Sequence, residues 1–317
     1  MKNSTIIHSH NFDCGGLGDF FRSLISFCGL CKQNDINFGI DLGENPLLKA
    51  CFNVEPIDDS VMFQPIEYRK CLSGIDELGA KFIEETLKKA TESRLTQVVL
   101  SNCAVLDNRP LIISGISSLK KIMGPSDLTR AKIQELSQRY GLKEGSYASF
   151  HLRCGDVYMT RRFGFQRHRK KIVDRRVNSA SDAVEKYSRL LLNCADHLKK
   201  DSVLIIHSDS SDMKSKLRKK LSRSPERDRF VFLDIKPQHT ASNLGDNSVD
   251  SFAMSVAEFY IITASNNVFM PIYSGFSHLA AVLGDVSLYG PENPKQWHKD
   301  FMKGFGPSNL FNFKNQS

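Results

Sequence analysis

A short segment in the middle of the chain has the residue types of an anion-binding turn. His151, Arg153 and Asp156 alternate with apolar or small residues in His-Leu-Arg-Cys-Gly-Asp, directly after an apolar run. A guanidinium that leaves water needs an anionic partner, and its planar fork of N–H donors matches two phosphate oxygens. Asp156 either closes the turn as an internal partner of Arg153 or contacts a substrate hydroxyl. These three residues are candidate catalytic residues, with Arg153 as the candidate phosphate ligand.

A glycine-rich segment near the N-terminus is the second candidate loop. Gly16 and Gly18 precede Asp19 and Arg22 at the predicted start of a helix. Glycines let backbone N–H groups approach a ligand closely, and a helix N-terminus favours negative charge. Phe21 stands where a dinucleotide-binding loop needs its third glycine, and the sequence has no Gly-Lys-Ser/Thr of a Walker loop. The alternative is a tight turn in which Asp19 caps the helix.

Small polar residues form the third candidate loop, which precedes a predicted helix near the C-terminus. The loop consists of Ser274, Gly275, Phe276 and Ser277. Hydroxyl and backbone N–H groups at a helix start form a nest that suits an anion. A serine N-cap on a packing helix explains the same residues equally well. Because all three loops follow predicted strands, together they indicate a ligand site more strongly than each does alone.

Other charged residues have simpler explanations. The acidic stretch Asp209–Asp212 follows an apolar run, so we expect a strand-end turn that caps the next helix rather than a metal site. Asp250 is a candidate contact to the base or ribose of a nucleotide, or else a helix N-cap. Glu258 lies on the same predicted helix. The basic run Met213–Arg229 predicts a solvated helix face.

The positive charge is concentrated in one segment. The 317 residues include 43 Lys plus Arg and 35 Asp plus Glu, a net charge of +8. Eight basic residues and one acid in Arg161–Arg176 account for +7 of it. A nearly neutral body with one basic arm predicts a local anionic partner rather than nucleic acid. We expect Arg161, Arg162 and Arg167 to form a lid over that anion; a surface loop without a ligand is the alternative.

Strands alternating with helices position these loops and predict an α/β protein with parallel sheets. The series breaks near Gly141–Gly145 and then restarts, so the sequence predicts two similar lobes, 1–143 and 144–290. A C-terminal segment, 291–317, follows, and packing back onto the first lobe is one arrangement for it. The predicted elements are strands at Ser4–His10, Asn37–Asp41, Gln97–Ser101, Tyr147–Leu152, Ser202–His207, Phe230–Leu233 and Asn267–Met270, and helices at Phe20–Gln33, Ile75–Ala90, Leu128–Tyr140, Ser181–Lys199, Met213–Leu221, Val249–Ala264 and Ser277–Leu283.

Composition excludes several other classes of protein. No apolar run reaches the ~18 residues of a membrane helix, and the N-terminus lacks a signal-peptide core, so we expect no membrane span and a cytoplasmic location. Eight scattered cysteines in a chain of this size predict reduced thiols rather than a disulfide scaffold. Cys28 and Cys31 form a CxxC, but no second pair stands at zinc spacing. We therefore predict no metal site and no cofactor.

The three loops resemble the motif series of the fucosyltransferase superfamily, which includes α1,2-, α1,6-, nodulation and protein O-fucosyltransferases. The matching segments are GGLGDFFRSL, HLRCGD and EFYIITASNNVFMPIYSGFSHLAAVLG, about 50 residues in the same order and spacing. The nodulation type is similar to this chain in having an aspartate where Asp19 stands. Several members carry a second arginine where this chain has Cys154, so the basic arm is the candidate source of that charge.

The resemblance implies a GT-B fold, two Rossmann-like lobes facing a cleft, and an inverting, metal-independent transfer of fucose from GDP-fucose to a glycan or protein hydroxyl. It implies that Arg153 holds the donor diphosphate and that Ser274, Phe276 and Ser277 contact the β-phosphate region. The first-lobe segment from Gly16 to Arg22 would face the donor and acceptor. Asp19 and Asp156 are candidate bases, with His151 behind them; a dissociative mechanism without a dedicated base is the alternative.

Other functions fit parts of the same pattern. The same scaffold could use another nucleotide sugar, such as UDP-xylose, since no residue reads guanine or fucose unambiguously. A sulfotransferase or nucleotide kinase also pairs a glycine-rich loop with basic residues, but the missing Walker loop argues against it. A non-catalytic nucleotide- or glycan-binding module is the third alternative.

Overall fold

The computed structural model describes residues 5–9, 17–43, 45–56, 63–67, 85–92, 96–100, 109–154, 179–235, 248–272 and 274–290. The chain forms two compact units that divide between Ala131 and Lys132, with Asn247–Ala253 assigned to the first unit. In the described residues no helix has both the length and the apolar character that crossing a membrane requires.

The first unit is built on a parallel sheet. Its described strands are β1 (Thr5–Ser9), β2 (Asn37–Asp41), β4 (Phe63–Glu67) and β5 (Thr96–Leu100), in the order β2-β1-β5-β4. A short antiparallel pair, β3 (Phe52–Val54) with β6 (Met123–Pro125), forms a separate two-stranded sheet. The helices are α1 (Leu17–Gln33), α2 (Pro46–Cys51), α3 (residues 85–92), α4 (Arg109–Ile122) and α5 (Asp127–Tyr140), whose second half belongs to the other unit.

The second unit contains a parallel sheet with β7 at its centre. The described strands are β7 (Tyr147–Leu152), β8 (Val203–Ser208), β9 (Phe230–Phe232), β10 (Asn267–Phe269) and β11 (Ser287–Tyr289), in the order β11-β10-β7-β8-β9. The helices are α6 (Ala180–Asp196), α7 (Ser211–Leu221), α8 (Val249–Thr263), which belongs to this unit from Met254 on, and α9 (Gly275–Gly284). All six residues of β7 are buried, as expected for a parallel strand covered on both faces.

Two apolar clusters fill the faces of this second sheet. Phe150, Leu152 and Ile206 pack with residues of α6 and α7 in one cluster. Tyr147 and Ile205 pack with residues of α5 and α8 in the other. The strand order places helices on both faces, which is the arrangement that the α/β pattern predicts.

The structure confirms the predicted fold class and most second-lobe elements, with corrections at helix starts. Helix α1 begins at Leu17 rather than Phe20, so Gly18 and Asp19 belong to its first turn and Asp19 is not the cap. Helix α9 begins at Gly275 rather than Ser277. The helix α5 ends before Gly141, whose φ of +65° confirms the predicted C-terminal glycine. The elements α2, β3, β4, α4, β6 and β11 were not predicted.

Close contact between α1 and α4 depends on Gly115. A Cβ at this position would lie 2.1 Å from the carbonyl oxygen of Ile25 and 3.0 Å from the backbone nitrogen of Gly29. Backbone atoms of a packed helix cannot move aside cheaply, so we expect Gly115→Ala to lower the free energy of unfolding by about 1–3 kcal/mol. Urea denaturation measures this value.

Gly124→Ala is the matched control, because a Cβ there meets nothing within 4 Å. Equal stability of the two variants would contradict the packing seen between α1 and α4.

Candidate functional site

The candidate site lies in the second unit, where the strand order reverses. The chain proceeds from β7 to β8 on one side, and β10 joins β7 on the other side. In open parallel sheets, ligands bind outside the carboxyl ends of the strands at such a switch point. Residues His151–Cys154 leave the sheet at the end of β7, and Ser274–Ser277 follow β10 into α9. The structure therefore places two of the three predicted loops at one point of the fold.

A buried hydrogen bond joins these two loops. The ring nitrogen Nδ1 of His151 lies 2.9 Å from Oγ of Ser277, and both side chains are buried. Burial is the main cause that lowers the pKa of His151 to about 3, and the charges of His207 and Arg153 lower it further. His151 is therefore neutral near pH 7, and it donates or accepts hydrogen bonds without carrying charge.

Arg153 is half-buried and directly follows the last residue of β7, at this switch point. Within the described ranges, no hydrogen bond or ion pair connects its side chain to another residue. Asp156, the internal partner considered above, lies outside the described residues, as does the basic arm with Arg161, Arg162 and Arg167. A half-buried guanidinium retains its affinity for an anion when no carboxylate neutralises it.

The start of α9 supplies further donors beside Arg153. Ser274 occupies the N-cap position, but its side chain makes no capping hydrogen bond. The first backbone bond of the helix runs from His278 N–H to Ser274 O at 3.0 Å, so the N–H groups of Gly275–Ser277 precede the helical ladder. Ser274 N–H donates to Sδ of Met270 at 3.2 Å. The Ser274 hydroxyl and these N–H groups are suited to phosphate oxygens.

Phe276, in the first turn of α9, packs against two other rings. Its ring lies 5.8 Å from the ring of His151 and 5.3 Å from the ring of Phe259 on α8. The Phe276 ring therefore lies between the imidazole of His151 and Phe259 of α8. Phe276 thus acts through packing, whatever it contacts in a ligand.

A second buried histidine lies beside the first and was missed by sequence reasoning. His207 on β8 pairs with His151 in the strand register. Its Nδ1 lies 3.0 Å from Oε1 of Glu258, and its Nε2 lies 3.2 Å from Oγ of Ser149. The signal in the sequence was a histidine near the end of each of two largely apolar strands, but only the strand order shows that the strands are neighbours.

The turn after β8 confirms the predicted helix cap and adds an unpredicted link. Ser210 caps α7, since its Oγ accepts a hydrogen bond from Met213 N–H at 3.2 Å. Asp209 instead accepts a hydrogen bond from the backbone N–H of Cys154 at 2.6 Å. The described residues contain no group of three or more His, Cys, Asp or Glu side chains that could hold a metal ion.

Helix α7 is not the fully solvated basic face that the run Met213–Arg229 predicted. Lys214 is buried, and its Nζ donates to the carbonyl oxygens of Leu233 at 3.0 Å and Ile235 at 2.8 Å. Burial lowers the pKa of Lys214, while Glu258 opposes that shift. The long side chain satisfies backbone acceptors where the chain leaves β9.

The remaining predicted residues belong to the first unit. Arg22 is buried within α1, next to Ser23, whose hydroxyl lies 2.6 Å from Nε2 of His8 on β1. Gly16 and the side chain of Asp19 lie outside the described residues. Asp250 is exposed in the first turn of α8, and the N-cap is Ser248, whose Oγ accepts from Ser251 N–H at 3.2 Å. The N-cap alternative for Asp250 is therefore wrong.

The CxxC cysteines have the character of packing residues. Burial raises the pKa of Cys28 to about 12 and raises the pKa of Cys31 still further. Both thiols are buried in α1 and stay protonated near neutral pH. Metal binding and redox exchange both need the thiolate, so neither chemistry is favoured here.

Several solved fucosyltransferase structures have a fold similar to that of this chain. The chain is similar to NodZ α1,6-fucosyltransferase co-crystallised with GDP, with a TM-score of 0.57 and 15% identity over 93% of this chain and 97% of NodZ. It is similar to a mutant of Arabidopsis thaliana FUT1 in complex with GDP, with a TM-score of 0.58 and 11% identity over 93% of this chain and 72% of FUT1. It is also similar to POFUT1 in complex with GDP-fucose, with a TM-score of 0.51 and 10% identity over 90% of this chain and 96% of POFUT1.

No family model and no curated protein sequence matches the chain. At these identities the structural likeness establishes the fold alone. The predicted GT-B fold and its resemblance to fucosyltransferase structures are confirmed.

Proposed function

We propose that this chain is an inverting, metal-independent glycosyltransferase that transfers fucose from GDP-fucose to a hydroxyl of a glycan or glycoprotein. One observation carries the proposal: the half-buried Arg153 follows β7 at the switch point of the sheet, two residues after His151, whose ring is hydrogen-bonded to Ser277 in the first turn of α9. This arrangement combines a fixed positive charge with backbone N–H groups, as binding of a diphosphate requires.

The same groups would also serve the departing nucleotide. In an inverting transfer, the acceptor oxygen forms a bond to the anomeric carbon while the bond from that carbon to the diphosphate oxygen breaks. The electron pair leaves with the nucleoside diphosphate, so negative charge grows on its terminal phosphate. Arg153 and the N–H groups of Gly275–Ser277 would stabilise this charge most strongly in the transition state.

His151 would hold the site in shape rather than take the acceptor proton. With its pKa lowered to about 3, its neutral ring is a weak base at pH 7. Asp19 and Asp156 remain the candidate bases, and a loose transition state without a dedicated base is the alternative. The basic arm with Arg161, Arg162 and Arg167 is the candidate lid over the diphosphate.

The choice of GDP-fucose is supported by fold likeness to proteins that were crystallised with GDP or GDP-fucose. Asp250, exposed at the start of α8, is the candidate contact to the nucleoside. The acceptor class follows from the superfamily resemblance of the three loops.

A thermal-shift panel of GDP, UDP, dTDP and CDP tests the donor class. We expect GDP to raise the melting temperature most, because a ligand at 100 times its Kd adds about 2.7 kcal/mol to the free energy of unfolding. Guanosine, which lacks the diphosphate, is the control and should give a much smaller shift. A larger shift with UDP would assign another nucleotide sugar, and no shift with any diphosphate would contradict a transferase.

Hydrolysis of GDP-fucose distinguishes an enzyme from a binding module. A chain that binds GDP and slowly releases fucose from GDP-fucose in water is a transferase without its acceptor. Binding with no hydrolysis, and with no transfer to a panel of glycans, would favour the non-catalytic module.

A further inference from the structure

We propose that Asp209 is a positioning residue for Arg153 and that it acts through the backbone of the turn after β7. Strands β7 and β8 are parallel neighbours, and their register pairs Leu152 with Ser208. The chain therefore leaves the sheet at Arg153 and at Asp209 side by side. Sequence reasoning gave Asp209 only a place in the turn that caps α7.

The carboxylate of Asp209 binds the turn that carries the guanidinium. The backbone N–H of Cys154 donates to Oδ1 of Asp209 at 2.6 Å, a contact between residues 55 positions apart. Hydrogen bonds to an ionised acceptor are short and about twice as strong as neutral ones. A second contact, 3.6 Å from Sγ of Cys154 to Oγ of Ser208, joins the same two turns.

The cap of α7 does not need the Asp209 carboxylate. Ser210 Oγ accepts from Met213 N–H, and Ser210 N–H in turn donates to Ser208 Oγ at 3.1 Å. The serines thus satisfy the start of the helix, and the carboxylate of Asp209 binds the turn after the neighbouring strand. An alanine in place of Asp209 would leave the cap intact and remove the acceptor for Cys154 N–H.

The hydrogen bond between Cys154 and Asp209 means that the backbone is held on both sides of Arg153. The residue before it, Leu152, belongs to the β7 ladder, and the residue after it, Cys154, is held by Asp209. Among the described residues, no ion pair or hydrogen bond involves the Arg153 side chain, and Asp209 binds the backbone of the next residue. The carboxylate therefore orients the guanidinium without neutralising it, which leaves the positive charge for a phosphate group.

This inference rests on the proposed function, because it requires an anionic ligand at Arg153. The first experiment measures GDP affinity by isothermal titration calorimetry for wild type, Asp209→Ala, Asp209→Asn and Asp212→Ala. Asp212 is the matched control, since it is an exposed residue of the same segment that pairs with Lys216. We expect Asp209→Ala to raise the Kd at least tenfold and Asp212→Ala to leave it unchanged.

Asp209→Asn separates positioning from charge. Asparagine keeps an oxygen acceptor for Cys154 N–H but makes a weaker, neutral hydrogen bond, so we expect a Kd two- to fivefold above wild type. If Asp209→Ala does not fold, this variant decides: an unchanged Kd overturns the proposal. In a folded Asp209→Ala protein, a Kd within twofold of wild type overturns it as well.

Alkylation of Cys154 reports on the turn without any nucleotide. The Cys154 thiol is buried, and burial raises its pKa to about 12, so the wild-type protein should react slowly with iodoacetamide. Asp209→Ala should raise the labelling rate at Cys154 at least tenfold, measured by peptide mass spectrometry, while Asp212→Ala should not. An unchanged labelling rate at Cys154 overturns the proposal, whether or not the protein binds a diphosphate. Failure of the wild-type protein to bind GDP would instead count against the proposed function.

Discussion

Replacement of Arg153 by alanine should abolish the rise in melting temperature that GDP produces in the wild-type protein. Arg153 is the half-buried cation that ends β7, and no described residue pairs with it. Truncation of one partner in a buried charge contact costs about 2–5 kcal/mol, so the Kd for GDP should rise at least about 30-fold. A GDP concentration that saturates the wild type would then leave most of the variant empty.

Two further variants give this prediction its controls. Arg153→Lys keeps a positive charge but loses the planar fork, so binding should weaken by less than it does with alanine. Arg189→Ala removes an exposed arginine that pairs with Glu185 on α6, and should leave GDP binding unchanged. A full GDP shift in Arg153→Ala would remove Arg153 from the phosphate site.

The predicted turnover effect of Arg153→Ala is larger than its binding effect. Negative charge on the diphosphate grows as the glycosidic bond breaks, so the lost interaction is worth more in the transition state than in the ground state. We expect kcat to fall in addition to the rise in KM for GDP-fucose. A rise in KM with an unchanged kcat would limit Arg153 to ground-state binding.

The centre of the second sheet could be predicted because its strand has a distinct pattern. Tyr147–Leu152 was predicted with its observed bounds as the strand where the α/β pattern restarts after Gly145, and all six of its residues are buried. The loops after β7 and β10 follow from the position of their strands. Their meeting at one switch point depends on the strand order, which hydrophobic periodicity alone does not show.

Side-chain partners across the sheet could not be predicted for the same reason. The bond between His207 and Glu258 joins residues 51 positions apart, and the bond between Cys154 and Asp209 spans 55. Lys214 was assigned to a solvated face because lysine is rarely buried. Two carbonyl oxygens beyond β9 satisfy its ammonium group, and nothing in the local sequence shows them.

Helix α4 was missed because its sequence disfavours a helix on local grounds. It contains Gly115 and four isoleucines in 14 residues, and both glycine and β-branched residues lower helix propensity. Helix α1 approaches α4 so closely that only glycine fits at position 115. Tertiary packing therefore explains the presence of a residue that local helix propensity disfavours. Local rules fail here because the helix is stabilised by its contact with α1.

Acid should destabilise this protein through His151. Its pKa is lowered from 6.5 to about 3 in the folded state, mainly by burial. Between these values the unfolded chain binds the proton more strongly, so stability is fully present above about pH 6.5 and is lost as pH falls toward 3. For one such group the loss is about 3 kcal/mol at pH 4.

Comparison with His151→Asn isolates this contribution, because asparagine can keep a hydrogen bond to Ser277 but does not titrate. Urea denaturation at pH 7 and pH 4 should show that wild type loses about 3 kcal/mol more stability between the two pH values than the variant loses. His197→Asn, at an exposed histidine on the C-cap of α6, should lose as much as wild type. Equal losses in wild type and His151→Asn would mean that the folded state does not lower the pKa of His151, which would contradict its burial as an uncharged ring.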